Sequence, residues 1–421
     1  MKEGHVRVDV LYTNFSRKNK AKVNLFGSLI LGIPLCLTIF FRGMACKQCV
    51  LNQPIINFET SQSTQGMNIK YLMAGFLIIF ELTMLIQFLV YSLRSLKIIK
   101  EENRVIAEKE RIALMEKELE IKAEENRKLI IGISSRALFN LDESHDIYEK
   151  DGLDSYRDYQ IANEDKTLEP GEAFNLVKKI LDINSLYENR QRIEVILLSR
   201  NTSDTGLRIR NSIEAHGLDI SRAAFCGGAS PHRYVRDFGV HLFLSSSMED
   251  VKLAIESNVA AATIISNDND NSFLSEDGQL KIAFDGDAVI FSDDSEKVFH
   301  EEGLEAFIEN EVTAKTALKE GPFKSFLVEL NDIQNDFDIN NCPIRTALVT
   351  ARSAPSDKRV IKTLREWGVR IDESLFLGGM SKKDFLKSFQ ADIFFDDQKK
   401  HIIDTQNTIA SGHVPYGIKN Q

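Results

Sequence analysis

Apolar residues follow three different rhythms along this chain, and each change of rhythm falls at an identifiable position. Two unbroken apolar runs come first, VNLFGSLILGIPLCLTIFF from Val23 to Phe41 and YLMAGFLIIFELTMLIQFLVY from Tyr71 to Tyr91. Each is long enough to cross a hydrocarbon core of about 30 Å as a helix. From Leu93 to Leu129 the chain is charged, free of Gly and Pro and rich in strong helix formers, which predicts one long helix. Ile98, Val105, Ile112 and Leu119 recur every seven residues along it, but the positions that would complete a coiled-coil seam are mostly Glu and Lys. That stripe leaves self-association open, while pairs such as Glu118 with Lys122 and Glu124 with Arg127 support a solvated single helix. Beyond Leu129, strand-like apolar runs and helical stretches follow one another as in β/α units.

This last region repeats itself. IEVILLSRNTSDTGLRIRNSIEAHGLDISRAAFCGG from Ile193 matches IRTALVTARSAPSDKRVIKTLREWGVRIDESLFLGG from Ile344 without a gap, each position 151 residues after its counterpart. The same offset carries HLFLSS (His241 to Ser246) onto DIFFDD, and IGISSRALF from Ile131 onto IAFDGDAVI. The fold expected is therefore α/β, a duplicated Rossmann-like three-layer unit with halves at 129–278 and 279–421. Before it come a basic tail at 1–22, a transmembrane hairpin at 23–92 with an outer loop at 43–70, and a helical stalk at 93–128.

Charge narrows the setting. With 52 Lys+Arg against 62 Asp+Glu the net charge is −10, so no basic face is offered to nucleic acid. Arg17, Lys18, Lys20 and Lys22 precede the first apolar run, and Arg94, Lys97 and Lys100 follow the second, whereas the loop between carries only Arg42, Lys47 and Lys70. The positive-inside bias predicts a two-pass membrane protein, partnered with the lipid bilayer, whose N-terminus and α/β region are cytoplasmic. Five cysteines are too few for a disulfide scaffold; Cys36, Cys226 and Cys342 read as small hydrophobes, and Cys46 with Cys49 as a local disulfide in the outer loop. Glu81, near the middle of the second run, reads as a neutral group hydrogen-bonded to Asn24, Ser28 or Thr38, with Ser28 and Gly32 letting the helices approach.

Candidate chemistry lies where the halves differ. Asp285 corresponds to Ser134, Asp287 to Arg136, Thr350 to Ser199, Lys382 to Pro231, and Asp396 with Asp397 to Ser245 with Ser246. Four carboxylates and a lysine thus stand at strand ends of one copy and are absent from the other, which concentrates chemistry in the second. Asp285 and Asp287, two apart at the end of an extended run, face one pocket, and Gly286 between them permits close approach. Carboxyl ends of parallel strands are where ligands bind. Several carboxylate oxygens without cysteine or histidine suit a hard octahedral cation, Mg²⁺ rather than zinc.

FDGDAV, LVT, GMSK and FFDD, in that order, resemble the four motifs of haloacid dehalogenase-type phosphohydrolases. SSRALF, AFCGGASP, AAATI, AFDGDAVIFSDDSE, LVTARSA, FFDDQ and HVPYG resemble the cytosolic 5′-nucleotidase I family over about Leu129 to Lys419. The resemblance implies Mg²⁺-dependent hydrolysis of nucleoside 5′-monophosphates, AMP among them. Under it Asp285 is the nucleophile that forms an aspartyl-phosphate, and Asp287 the general acid and then base. Thr350 and Lys382 hold the phosphate, Lys382 rather than Lys383 by its spacing from Gly379. Asp285, the Asp287 carbonyl and Asp396 hold Mg²⁺, with Asp397 orienting a ligand or water. In the first half, Asn201 and Arg208 are expected to face the same cleft, because Ser199 occupies the strand-end position of Thr350. Phe291 and Phe323 read as core residues, and Asp293, Asp294 and Glu296 as a helix-capping cluster. The hairpin and stalk depart from the family, so two other readings stand beside the nucleotidase: a nucleotide-binding membrane sensor with incidental turnover, and a phosphatase for another small phosphomonoester. A homo-oligomer would form through the stalk stripe or the catalytic region.

Overall fold

The computed structural model describes Tyr12 and residues 15–45, 51–56, 69–125, 127–188, 190–265 and 278–420. The chain divides into two compact units, Met1–Ala123 and Glu124–Gln421.

In the first unit, Ser16 caps a helix by accepting the Asn19 N–H. The helix runs Arg17–Phe26, widens to π geometry over Gly27–Gly32 and continues as Ile33–Met44. Its buried positions, Ala21, Ser28, Gly32 and Cys36, are all small. A Cβ on Gly32 would stand 2.7 Å from the Phe88 ring, so the missing side chain is what lets the second helix approach. That second helix, Ile69–Glu125, runs unbroken for 57 residues from the apolar run into the charged stretch. Both apolar stretches are long enough to cross a membrane, and large side chains such as Leu31, Phe41 and Phe76 project outward uncovered. One carboxyl oxygen of Glu81 is buried without a partner. Cys36, Cys226 and Cys342 are free thiols; Cys46 and Cys49 lie outside the described residues.

In the second unit the duplication is visible strand by strand. The first copy supplies β1 (Leu129–Ile133), β2 (Ile193–Ser199), β3 (Ala223–Phe225), β4 (Leu242–Ser245) and β5 (Ala260–Ile264). The second supplies β6 (Leu280–Phe284), β7 (Ile344–Thr350), β8 (Glu373–Phe376), β9 (Ile393–Asp396) and β10 (Ala410–His413). They form one ten-stranded sheet in the order β3-β2-β1-β4-β5-β10-β9-β6-β7-β8. Every neighbouring pair within a copy is parallel, and the copies join through an antiparallel pair in which Gly412 faces Ile264 and His413 faces Thr263. The carboxyl ends of the two sets of strands therefore emerge at opposite edges of the sheet.

Helices cover both faces, which is why the central strands are apolar throughout instead of alternating. The helical cap segments that follow the first strand of each copy, Asp142–Ala162 in one and Asp294–Glu302 with Leu304–Thr313 in the other, repeat as well. Gly152, with φ 85° and ψ −175°, breaks one helix pair, and Gly303, with φ 90° and ψ −178°, breaks the other 151 residues later. Both need the left-handed region that glycine alone enters without strain. Phe291 and Phe323 are fully buried, as expected of core residues.

One hydrophobic core runs through both copies, joining Leu129, Val195 and Leu242 to Ile282, Phe326 and Ile393. A buried ion pair crosses between them: Lys179 Nζ lies 2.9 Å from both oxygens of Asp392, which also accepts the Lys281 N–H at 2.8 Å. Replacing Lys179 with Met strands a carboxylate whose side chain is 1% exposed, and should destabilise the α/β unit by roughly 3 kcal/mol. The check is a lowered denaturant midpoint at unchanged slope; an unchanged midpoint would contradict it.

Candidate active site

β6 and β9 lie side by side, and the Asp285 N–H donates to the Phe395 carbonyl at 2.8 Å, so the strand-end residues Asp285 and Asp396 come out together. Asp285 is 5% exposed and Asp396 wholly buried. Lys382, just before the helix Lys383–Phe389, reaches between them, 2.8 Å from Asp285 Oδ1 and 2.7 Å from Asp396 Oδ2. Lys383, by contrast, points into solvent.

Two carboxylates and one ammonium in a dry pocket do not balance, and the proton affinities show it. Burial pushes the Asp285 carboxyl up to about 7, with the charge of Lys382 opposing that rise and Asp396 adding to it. Burial alone would raise Asp396 too, but Lys382 and His401 outweigh it and hold this carboxyl below the ordinary range. Burial would likewise lower the Lys382 ammonium, yet Asp285 and Asp396 together raise it. Asp397 has no such partner. Both its carboxylate oxygens are buried without a hydrogen bond, and burial with the neighbouring Asp285, Asp396 and Glu296 pushes it up to about 10.

These residues fit a cation. Asp285, Asp396 and His401 offer ligand atoms within 4.8 Å of one another, His401 Nδ1 lies 2.9 Å from Asp396 Oδ2, and the two unpartnered oxygens of Asp397 are beside them in sequence. Carboxylate oxygens dominate the set, which suits a hard divalent ion. The histidine is an addition to the all-carboxylate set read from strand ends. It sits in the first turns of the helix Lys399–Gln406, five residues after Asp396, and the signal for it was its counterpart Asp250, another titratable residue at the same place in the first copy.

Asp287 is held differently. Arg352 donates to both of its oxygens, at 2.8 and 2.6 Å, and to Glu311 Oε2 at 2.6 Å. Glu311, fully buried on the helix Leu304–Thr313, also accepts from Arg359 at 3.0 Å and Ser295 at 2.7 Å. A cap helix is thereby wired to Asp287 through one guanidinium, which also lies 5.3 Å from the centre of the Phe307 ring. Thr350, at the end of β7, accepts the Arg352 N–H at 3.2 Å, and a Cβ on Gly286 would sit 3.2 Å from its hydroxyl. Arg352 and Glu311 were not singled out from the sequence, although LVTARSA contains the arginine. Their counterparts, Asn201 and Gln160, are uncharged, which is the difference that marks them.

Of the acidic cluster at the start of the helix Asp294–Glu302, Asp293 occupies the N-cap without a capping bond and pairs with Lys297 instead. Glu296 turns inward, accepts from Gln398 at 3.4 Å and is raised by burial, with Lys419 opposing and Asp287 adding. Asn201 and Arg208 are not brought to this pocket. They belong to the first copy, whose strand ends open on the opposite edge because β5 and β10 run antiparallel. Arg208 is buried there, donating to the Lys166 carbonyl at 3.0 Å and to Gln160 at 3.2 Å.

A family model described as 5′-nucleotidase matches residues 121–421. Human cytosolic 5′-nucleotidase 1B is 41% identical over 285 residues, covering 65% of this chain and 46% of that protein. The chain thus spans less than half the length of this curated relative. No solved structure matches it.

The unpartnered Asp397 generates a direct test. With a chelator present, Asp397→Asn should change the melting temperature by less than about 2 °C, because a carboxyl pushed up to about 10 is already neutral and an amide of the same shape replaces it. Added Mg²⁺ should stabilise the wild type more than the variant. Equal stabilisation of both would remove Asp397 from the cation site.

Proposed function

Because this chain belongs to the 5′-nucleotidase family, we propose that its second half hydrolyses nucleoside 5′-monophosphates to nucleoside and inorganic phosphate. The observation that carries this reading is Lys382 bridging Asp285 and Asp396 in a water-excluded pocket beside the partnerless Asp397.

In this reading an Asp285 oxygen attacks phosphorus, the bond from phosphorus to the 5′ oxygen breaks, and Asp287 delivers a proton to the departing oxygen. Water then attacks the aspartyl-phosphate, giving its proton to Asp287, and the phosphorus–Asp285 bond breaks to release phosphate. Lys382 neutralises the nucleophile so that a phosphate dianion can approach it, and the Thr350 hydroxyl holds a phosphoryl oxygen. Arg352 orients the deprotonated Asp287, the form that takes the proton from water, through a planar two-point contact that a lysine cannot reproduce; one of these contacts is given up when Asp287 carries the proton for the leaving oxygen. Mg²⁺, held by Asp285, Asp396, Asp397 and the Asp287 carbonyl, would supply charge neutralisation at the phosphoryl oxygens, with His401 within reach of the same atoms. For the base, the cap offers Phe299 and Phe307, whose rings stand edge to face 6.1 Å apart with Phe299 about half exposed. The hairpin, with uncovered apolar side chains and basic flanks, is read as a two-pass anchor that leaves the N-terminus and the catalytic half on the cytoplasmic side. The boundaries 129–278 and 279–421 are kept for the non-catalytic and catalytic halves, after a stalk at 93–128.

Purified full-length protein should release phosphate from AMP or another nucleoside monophosphate only with a divalent cation, and Asp285→Asn should lower the rate by at least about 10³-fold. Radiolabelled substrate should leave an alkali-labile label on the wild type and none on the variant. Folded protein that binds nucleotide without turnover would replace the hydrolase with the sensor reading. Phe299→Ala should raise KM roughly tenfold, the magnitude of a lost base stack, with kcat nearly unchanged.

A further inference from the structure

The first copy holds a cavity of about 880 Å³ at the carboxyl ends of its strands, on the edge of the sheet opposite the catalytic carboxylates. Its size is that of a small-molecule site. The backbone around it repeats three bonds of the cradle in the other half. Ser134 donates its N–H to Leu244 at 2.9 Å where Asp285 donates to Phe395 at 2.8 Å; Cys226 donates to Ser199 at 2.8 Å where Leu377 donates to Thr350 at 2.9 Å. Asn201 N–H reaches the Ser199 hydroxyl at 3.1 Å where Arg352 N–H reaches Thr350 at 3.2 Å. The aromatic pair is repeated too: Tyr148 and Tyr156 meet at 6.1 Å and 83°, Phe299 and Phe307 at 6.1 Å and 85°.

Only the reactive groups differ. Serines replace Asp285, Asp396 and Asp397, Arg136 replaces Asp287 and Pro231 replaces the lysine, so the nucleophile and the cation ligands of the other half have no counterparts at these strand ends. Three arginines line the cavity instead, one of them, Arg157, paired with Asp204 at 2.9 Å. Arg136 pairs with the exposed Asp142 at 3.1 Å, and Arg200 pairs with the exposed Glu249 at 2.9 Å and the buried Asp250 at 2.6 Å. Ion pairs to exposed carboxylates are worth little, so a phosphate can take the place of Asp142 or Glu249 at small cost. On the cavity wall the Asn201 side-chain amide nitrogen is buried without an acceptor, while Tyr156 donates to the same residue's oxygen at 3.3 Å.

We propose that this cavity is a second ligand site, which holds a nucleoside 5′-phosphate without a divalent cation and without hydrolysing it. The phosphate lies against the serine hydroxyls and Arg136, and the base against Tyr148 and Tyr156. The choice of ligand class rests on the nucleotidase reading of the other half, since it is the shared cradle that transfers it.

The test is equilibrium dialysis of the full chain in detergent with excess chelator, using AMP, adenosine and inorganic phosphate as separate probes. Wild type should bind AMP in the chelator, at least tenfold more tightly than adenosine. Arg136→Ala combined with Tyr148→Ala, both exposed positions, should weaken that binding tenfold or more while cation-dependent turnover stays within about twofold. Absence of chelator-stable AMP binding, its loss in Asp285→Asn, or its persistence in the double variant would each overturn the proposal. Adenosine binding as well as AMP would remove the phosphate from it. Turnover without chelator-stable binding sinks this inference alone, whereas chelator-stable binding in a protein that hydrolyses no nucleotide sinks the nucleotidase reading and leaves this site standing.

Discussion

Carboxylates cannot share a dry pocket unless a positive charge is shared with them, and here that charge is the Lys382 ammonium. It contacts Asp285 and Asp396 at once, which requires β6 and β9 to be neighbours and the loop after Gly379 to deliver the lysine at the level of their ends. The first copy obeys the same rule from the other side. Pro231 stands at the lysine position and serines stand opposite Asp285, Asp396 and Asp397, so the balancing charge and the charges it would balance are absent together.

The join between β5 and β10 sets the geometry of everything else. An antiparallel seam makes one continuous sheet with a shared core, yet it turns the two sets of strand ends away from each other. The pocket of Asp285 and the serine-lined cavity thereby open at opposite ends of the strands instead of facing across a cleft. Side chains add further connections, Lys179 of one copy reaching Asp392 of the other, and Arg192 reaching Asp336 at 2.8 Å.

Much of this is legible in the residues. The repeat and the strands carrying Asp285, Thr350 and Asp396 follow from spacing, because a strand end places its side chain predictably, whereas the choice of Lys382 over Lys383 follows from the resemblance to the family motif. The helices Arg17–Met44 and Ile69–Glu125 follow from composition. What the residues do not carry is the polarity of the seam, since a continuous apolar run looks alike in either direction; hence the expectation that Asn201 and Arg208 face the catalytic cleft. His401, Arg352 and Glu311 were hidden for a related reason. They act from helices and a loop, where the direction of a side chain depends on how the element packs. Comparing the copies at these three positions, with Asp250, Asn201 and Gln160, is the route that would have revealed them.

The paired glycines Gly152 and Gly303 break the two caps with the same backbone conformation, although only one cap is bonded to a strand-end acid, through Glu311, Arg352 and Asp287. A scaffold that has kept its bends and its amide cradle while exchanging its reactive groups is a ready frame for protein engineering. Aspartates at 134, 245 and 246 and a lysine at 231 would address side chains alone, leaving the loops as they are. The molecule therefore carries, within one chain, both a charged acid-and-lysine cluster and a blank on which a second could be written.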